Sequence, residues 1–165
     1  MSKKWGPSVW KFFHSLVHSI KEESFPIVGR QLLNYIVQIS SMLPCPDCST
    51  HAKMFFNKIN LNIFSTKDRA IDLLYVFHNV VNKNTKKPHF PRSLLYIYDN
   101  INVFASYNSF VIAYTSNIPS KLSTETFARK SLLKSLHEWL SSSRYHFSIP
   151  NLEKIQDSDD NNDKP

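Results

Sequence analysis

The stretch "LPCPDCSTHAKMFF", residues 43–56, contains both cysteines of this 165-residue chain. Pro44 ends any helix that precedes it, because the residue before a proline is driven out of helical geometry. Cys45 suits the N-cap of a new helix, and Pro46 suits its first residue. Cys48 then lies in the first turn, where unpaired N–H groups and the helix dipole favour a thiolate. We therefore predict two sulfurs, three residues apart, at the start of a helix.

Apolar residues recur at helical spacing on both sides of this motif, and glycine is rare, with two in the chain. The fold class predicted from this pattern is all-α. We predict helices over residues 8–20, 26–43, 45–56 and 67–84, with a short fifth helix at 92–100. The core side chains expected from the first two are Val9, Phe13, Leu16, Ile20, Val28, Leu32, Tyr35, Ile36 and Ile39. The fourth helix carries a stripe that starts apolar and turns polar, which a purely structural helix has little reason to do: Ile71, Leu74, Tyr75, His78 and Asn82.

The later part of the chain is harder to interpret. Residues 101–118 mix β-branched, aromatic and asparagine residues without clear periodicity. Residues 123–143 form an amphipathic pattern whose predicted apolar side is Phe127, Leu132, Leu133, Leu136, Trp139 and Leu140. The composition of residues 151–165 is that of a disordered acidic tail. We predict three parts: a domain over 1–100, a partly helical extension over 101–150, and the tail.

The chain has a net charge of +7, and five of its thirteen acidic residues lie in the last fifteen positions, so the first 150 residues are more basic still. A positive field of this size favours anionic partners in general, but the lysines are scattered, so nucleic acid is an unlikely partner. The first residues lack the apolar run of a signal peptide, and polar residues interrupt the apolar stretch 94–114, so we expect no membrane span. We expect a soluble protein of a reducing compartment, the cytoplasm.

Three kinds of site are compatible with the cysteine pair taken alone. Two sulfurs on a first helical turn can form a reactive disulfide. Zinc is the alternative, with Cys45, Cys48 and His51 as ligands and either His78 or His89 as the fourth, although structural zinc sites usually have a second closely spaced ligand pair. A static disulfide that closes so short a loop would add little stability. A thioredoxin-type site would need a βαβ frame that these helical patterns do not supply.

Three motifs in order carry a family resemblance: "WGPSVWKFFH" at 5–14, "LPCPDCSTH" at 43–51 and "HNVVNKNTKKPHF" at 78–90. Together they resemble the Erv/ALR family of FAD-linked sulfhydryl oxidases, over about residues 4–100. The resemblance implies a bundle of four helices with a short fifth one and with FAD at its mouth. It also indicates the compact members encoded by large cytoplasmic DNA viruses.

The resemblance assigns roles to individual residues. It makes Cys48 the sulfur beside the flavin and Cys45 the interchange thiol that meets substrate. It assigns no metal ligand, and it suggests that Tyr96 or Tyr98 replaces a late aromatic residue of relatives. The cofactor-binding residues that it implies are Gly6, Trp10, His14, His51, His78, Asn79, Val81, Asn82, Lys83, Lys87 and Phe90.

The implied reaction oxidises a protein dithiol through the Cys45–Cys48 disulfide, passes electrons to FAD and then to molecular oxygen, and yields hydrogen peroxide. Many relatives have a second, mobile cysteine pair that relays electrons, and this chain has no further cysteine. The resemblance therefore favours a substrate with its own redox pair, such as a thioredoxin-like protein. It further implies a homodimer and, for a viral member, the host cytoplasm and the virion as locations. The alternative remains a non-catalytic helical module that binds zinc.

Overall fold

Helices build nearly all of the part of the chain that the computed structural model describes, residues 5–116 and 123–150. No β-strand occurs in those two ranges, where a single antiparallel bridge joins Ile20 to Phe147. The fold class is all-α, as predicted. The α-helices are α1 Gly6–His18, α2 Phe25–Ser41, α3 Pro46–Phe56, α4 Lys67–Asn84, α5 Val103–Thr115 and α6 Thr124–Ser142.

Prolines and side-chain caps set the helix starts that position the cysteines. Cys45 is the N-cap of α3 and has extended backbone geometry, and its sulfur accepts a hydrogen bond from the Cys48 N–H over 3.3 Å. Pro46 occupies the first helical position, as predicted. The hydroxyl of Thr66 caps α4 in the same way, accepting from the Arg69 N–H. The short fifth helix is a 3₁₀-helix, Arg92–Tyr98.

The core is built around α1, which packs against α4 on one side and α5 on another, while α3 packs against α2. All nine side chains predicted for the core of the first two helices are buried. The polar-turning stripe of α4 is also oriented inward at its end, since His78 and Asn82 are buried.

The C-terminal helices share this core. The Phe110 ring of α5 stacks on the Phe12 ring of α1 at 4.8 Å, and the hydroxyl of Tyr35 on α2 donates to the Ser135 carbonyl of α6. Buried side chains from both sides of residue 100 therefore belong to one apolar cluster. The division of the chain at that residue stays a prediction. The predicted tail lies outside the described residues.

One predicted core residue is wrong. Phe127 was expected on the apolar side of α6, but it is 75% exposed. The second turn of α6 instead buries Arg129, whose guanidinium donates to the Leu43 carbonyl just before the cysteine pair. This end of α6 faces the backbone carbonyl of Leu43 rather than apolar side chains. The residue buried there is therefore a hydrogen-bond donor. Within the two described ranges, no helix combines the length and the apolar character that crossing a bilayer requires.

Candidate functional site

Cys45 and Cys48 form a disulfide at the N-terminus of α3, with their Cα atoms 5.2 Å apart. Both residues are half-buried, and the two residues between them, Pro46 and Asp47, are exposed. The separation of the Cα atoms is ordinary for a disulfide. The bond is therefore held near the surface by a helix whose N-terminal N–H groups face the sulfurs.

Beside the disulfide lies a cleft between α1, α3 and α4, which encloses about 700 Å³ with its open mouth included. Most of its wall is apolar and aromatic. Cys48 lines this cleft, whereas its described lining does not include Cys45. The cleft brings together seven residues that the sequence analysis singled out: Gly6, Trp10, Cys48, His51, Val81, Asn82 and Lys87.

A shallow groove continues from the cleft along the outer side of α1. Trp10, Asn82 and Lys87 line both spaces, so they lie where the two meet. His78 and Phe90, also predicted site residues, line the groove together with Tyr98. Nine of the thirteen predicted site residues therefore border one continuous depression.

Aromatic rings stack in layers under the groove. The Trp10 and His78 rings lie 4.1 Å apart and nearly parallel. The Phe90 ring also stacks on His78, at 5.2 Å. The Tyr98 ring stacks on His14 at 4.3 Å. Of the two late tyrosines suggested from the sequence, Tyr98 is buried in this stack and Tyr96 is exposed.

Two histidines in this stack are neutral. Nε2 of His14 and Nδ1 of His78 lie 3.1 Å apart, so one nitrogen donates and the other accepts. Burial, and secondarily the neighbouring His78, lowers the pKa of His14 to about 3. Burial, and secondarily Lys87, lowers the pKa of His78 to about 4. Both rings are therefore uncharged at neutral pH and act through hydrogen bonds and stacking.

Residues 7–101 match the model of the Erv1 / Alr family, which is more than half of the chain. The chain belongs to the Erv1/Alr family.

Individual relatives agree with this assignment. A protein of Invertebrate iridescent virus 3, named provisionally as an FAD-linked sulfhydryl oxidase, is 30% identical over 89 residues, 52% of this chain and 59% of the relative. The FAD-linked sulfhydryl oxidase ERV2 of Saccharomyces cerevisiae is 27% identical over 108 residues, 66% and 50% of the two chains. The FAD-linked sulfhydryl oxidase ERV1 of Oryza sativa subsp. japonica is 29% identical over 86 residues, 52% and 44%. The matches thus span about half the length of these relatives. No solved structure matches the chain.

Four predicted residues of this Erv1/Alr chain lie elsewhere or have other partners. Cys45 borders the cleft only through its disulfide partner, and His14 is fully buried beneath the groove. The Asn79 amide is occupied by the backbone of Phe90, accepting from its N–H over 2.7 Å and donating to its carbonyl. Lys83 lines another shallow groove, on the outer side of α4, which among the described residues borders the cleft only at Lys87. Asn79 therefore positions the segment that carries Phe90.

Several cleft residues were not predicted as site residues, although Val9 and Phe13 were predicted for the core. Trp5, Val9 and Phe13 line the cleft from the α1 side and Phe77 from α4. Trp5, Val9 and Phe13 are four residues apart, so helical spacing beside Trp10 was a signal that could have grouped them. Ser40 on α2 had no such signal.

Ser40 supplies a buried polar atom to the cleft. Ser40 is fully buried, and its hydroxyl has no hydrogen-bond partner among the described residues. Buried hydroxyls in folded proteins nearly always have a partner. The hydroxyl is thus available to a group that enters the cleft.

The zinc alternative requires three or four ligand side chains close together. Among residues 5–116 and 123–150, no three His, Cys, Asp or Glu side chains are grouped so that they could hold a metal ion. The two sulfurs that would have been thiolate ligands are bonded to each other. The arrangement favours thiol–disulfide chemistry over metal binding.

Proposed function

We propose that this chain is an FAD-dependent sulfhydryl oxidase, which forms disulfides in a protein dithiol. One observation carries the proposal: a surface disulfide has one of its two cysteines, Cys48, in the wall of an aromatic cleft. A redox disulfide needs an electron acceptor within contact distance, and a flat apolar cleft suits a flavin ring. The family membership and the names of the relatives agree with this activity.

The residues present fit FAD. Trp5, Trp10 and Phe77 give the cleft flat apolar walls, and Ser40 offers it a buried, unpartnered hydroxyl. Lys87 lies where cleft and groove meet, so its ammonium suits the anionic diphosphate that joins the two halves of the cofactor.

Other predicted residues would hold the remainder of the cofactor: Gly6, His51, Val81 and Asn82 in the cleft, and His78 and Phe90 in the groove. When bound, FAD supplies the two-electron chemistry that carries electrons from the thiols to molecular oxygen, with hydrogen peroxide as the product.

The thiol chemistry falls to the two cysteines. A substrate thiolate attacks Sγ of Cys45, which forms a mixed disulfide and releases Cys48 as a thiolate. The N-terminus of α3 stabilises that thiolate through its N–H groups and dipole. The second substrate thiol, as its thiolate, then displaces Cys45, which takes up a proton, and the substrate leaves as a disulfide. Cys45 thus meets substrate, while Cys48 is adjacent to the cleft.

The substrate we propose is a protein with its own redox pair, such as a thioredoxin-like protein. The chain contains no cysteine beyond Cys45 and Cys48 that could relay electrons, so a partner must reach Cys45 itself. The exposed residues Pro46 and Asp47 leave room for this approach. A homodimer, a cytoplasmic location and, for a viral member, the virion complete the proposal and rest on the family resemblance.

The test compares Cys48→Ser with the unchanged protein. The purified chain should show the visible absorbance of a bound flavin and should consume oxygen when dithiothreitol is added. Cys48→Ser should retain the flavin but reduce oxygen consumption to the background rate, because the pair can no longer form its disulfide. Thr50→Ser, a change at an exposed position of α3 two residues after Cys48, serves as the control. It should behave like the unchanged protein. Colourless protein, or undiminished oxygen consumption by Cys48→Ser, contradicts the proposal.

A further inference from the structure

We propose that α5 and α6 position the redox disulfide by holding the two backbone carbonyls that precede it. Tyr114 of α5 and Arg129 of α6 are the positioning residues, and the carbonyls are those of Met42 and Leu43. The proposal gives the C-terminal helices a part in the redox chemistry, and it rests on the proposed redox role of the cysteine pair.

The hydroxyl of Tyr114 donates to the Met42 carbonyl over 2.6 Å. Tyr114 is fully buried, and burial raises its pKa to about 12, so the hydroxyl keeps its proton and remains a donor at physiological pH. A short hydrogen bond from a fully buried tyrosine side chain fixes the loop to α5.

The guanidinium of Arg129 donates to the Leu43 carbonyl over 3.0 Å, and its charge is paired with Glu125 at 2.6 Å. The Arg129 side chain is only 6% exposed. The same Leu43 oxygen accepts from the Ser49 hydroxyl of α3 over 3.1 Å. One carbonyl therefore links α6 to the helix that starts at the disulfide.

The helix α6, which carries one of these two contacts, is itself anchored to the bundle by the segment that follows it. The segment after α6 returns to the turn between α1 and α2. There the Ser148 N–H donates to the Ser19 carbonyl over 2.7 Å, and the Lys21 N–H donates to the His146 carbonyl over 2.9 Å. The segment after α6 is thus fixed to the bundle, so hydrogen bonds from α5 and α6 can restrain the loop.

The restraint affects the two oxidation states unequally. The disulfide already limits the loop when the pair is oxidised. When the pair is reduced, the contacts of Tyr114 and Arg129 still restrain the carbonyls of residues 42 and 43, and the two sulfurs stay close. Removal of a contact gives the reduced loop more conformational freedom and so favours the dithiol. The relevant balance is one protein disulfide plus two glutathione thiols against one protein dithiol plus one glutathione disulfide.

Tyr114→Phe tests this directly, because it removes a single hydroxyl. The full chain is equilibrated in glutathione buffers of graded ratio, its free thiols are alkylated, and the adducts are counted by mass. We expect the equilibrium constant for disulfide formation to fall about tenfold, which corresponds to a potential about 30 mV less negative. Arg129→Met should shift it in the same direction, and Arg129→Lys, which keeps a charged donor, should restore most of the difference.

Tyr107→Phe is the matched control. Its hydroxyl also links α5 to a backbone carbonyl, but that of Leu133 on α6, at 3.5 Å. It should leave the glutathione equilibrium unchanged even if it lowers the melting temperature. An unchanged equilibrium in Tyr114→Phe, or an equal shift in Tyr107→Phe, overturns the proposal, since the contacts would then serve only to hold the helices together. The readout requires neither flavin nor oxygen consumption, so failure of the proposed function is detected separately.

Discussion

At the scale of single residues, the interior histidines show how far burial can change a side chain. His14 and His78 share a hydrogen bond and stack against aromatic rings, and both have pKa values far below that of a free histidine. His18, one turn further along α1, is also buried and has its pKa lowered by burial, although Asp99, 2.7 Å away, opposes the shift. Burial in the core under the groove thus favours the neutral form of these histidines over the charged form.

This arrangement predicts acid sensitivity. In the unfolded chain these histidines take up protons below about pH 6.5, whereas folded His14 stays neutral down to about pH 3. The unfolded state therefore binds more protons between those values, and the free energy of unfolding falls as the pH falls. At pH 4 the loss from His14 alone is on the order of 3 kcal/mol. Urea unfolding at pH 7, 5.5 and 4 measures it.

His14→Phe isolates the effect, because it keeps a ring against Tyr98 but removes the titrating nitrogens. The variant should lose clearly less stability between pH 7 and pH 4 than the unchanged protein. His137→Gln, a change at an exposed histidine of α6, should retain the full loss. If His14→Phe shows the same pH slope as the unchanged protein, the neutral buried imidazole is not its cause.

The residues of the candidate site were largely predictable, and the exceptions have a physical cause. Cys48, Trp10 and Lys87 belong to contiguous motifs whose chemistry is visible in sequence. Ser40 on α2 borders the cleft, and Arg129 on the distant α6 reaches the cysteine loop, and both do so through tertiary packing. Periodicity cannot reveal such contacts, because it describes one helix at a time.

At the scale of elements, α5 is the helix that the sequence pattern did not predict. Its buried residues, among them Val103, Phe110 and Tyr114, follow helical spacing. However, apolar residues also occupy its outer side, where Ile112 is 70% exposed, so no polar face marks the period. The first four helices lack this ambiguity and were predicted. Where α5 begins is decided by Asn102, whose side chain accepts from the N–H groups of Phe104 and Ala105.

Asn102→Ala should therefore destabilise the protein by about 1 kcal/mol, the usual effect of removing an N-cap side chain. The first N–H groups of α5 would lose their acceptor while the helix interior stays unchanged. Asn108→Ala, the same substitution at an exposed position inside α5, is the control and should be neutral or slightly stabilising, since alanine is the better helix former. Chemical unfolding of both variants measures the difference. Equal effects would show that the cap does not fix the start of α5.

At the scale of the whole molecule, the C-terminal helices and the first four helices contribute to one apolar core. Leu136 and Leu140 of α6 are buried against the bundle together with Phe110 of α5. A shared core of this kind predicts a single cooperative unfolding transition rather than two. The cleft and its supports should therefore be lost together.

Leu136→Ala tests this unity. Removal of a fully buried leucine should cost about 2–5 kcal/mol and lower the stability of the whole chain. Phe127→Ala on the same helix removes an exposed ring and should change stability by less than about 0.5 kcal/mol. Unfolding followed by far-UV circular dichroism and by tryptophan fluorescence should give coincident curves in both variants. A Leu136→Ala protein whose far-UV circular dichroism and tryptophan fluorescence give separate transitions contradicts a shared core.

The bridge between Ile20 and Phe147 joins the turn after the first helix to nearly the last described residue. A ribosome that adds about 5–20 residues per second needs roughly ten seconds to deliver the second partner after the first. Until α5 has been synthesised within that interval, the apolar side of α1 that it later meets has no cover from its own chain. Synthesis of Phe147, rather than emergence of the cysteine motif, therefore sets the earliest moment at which this bridge can form.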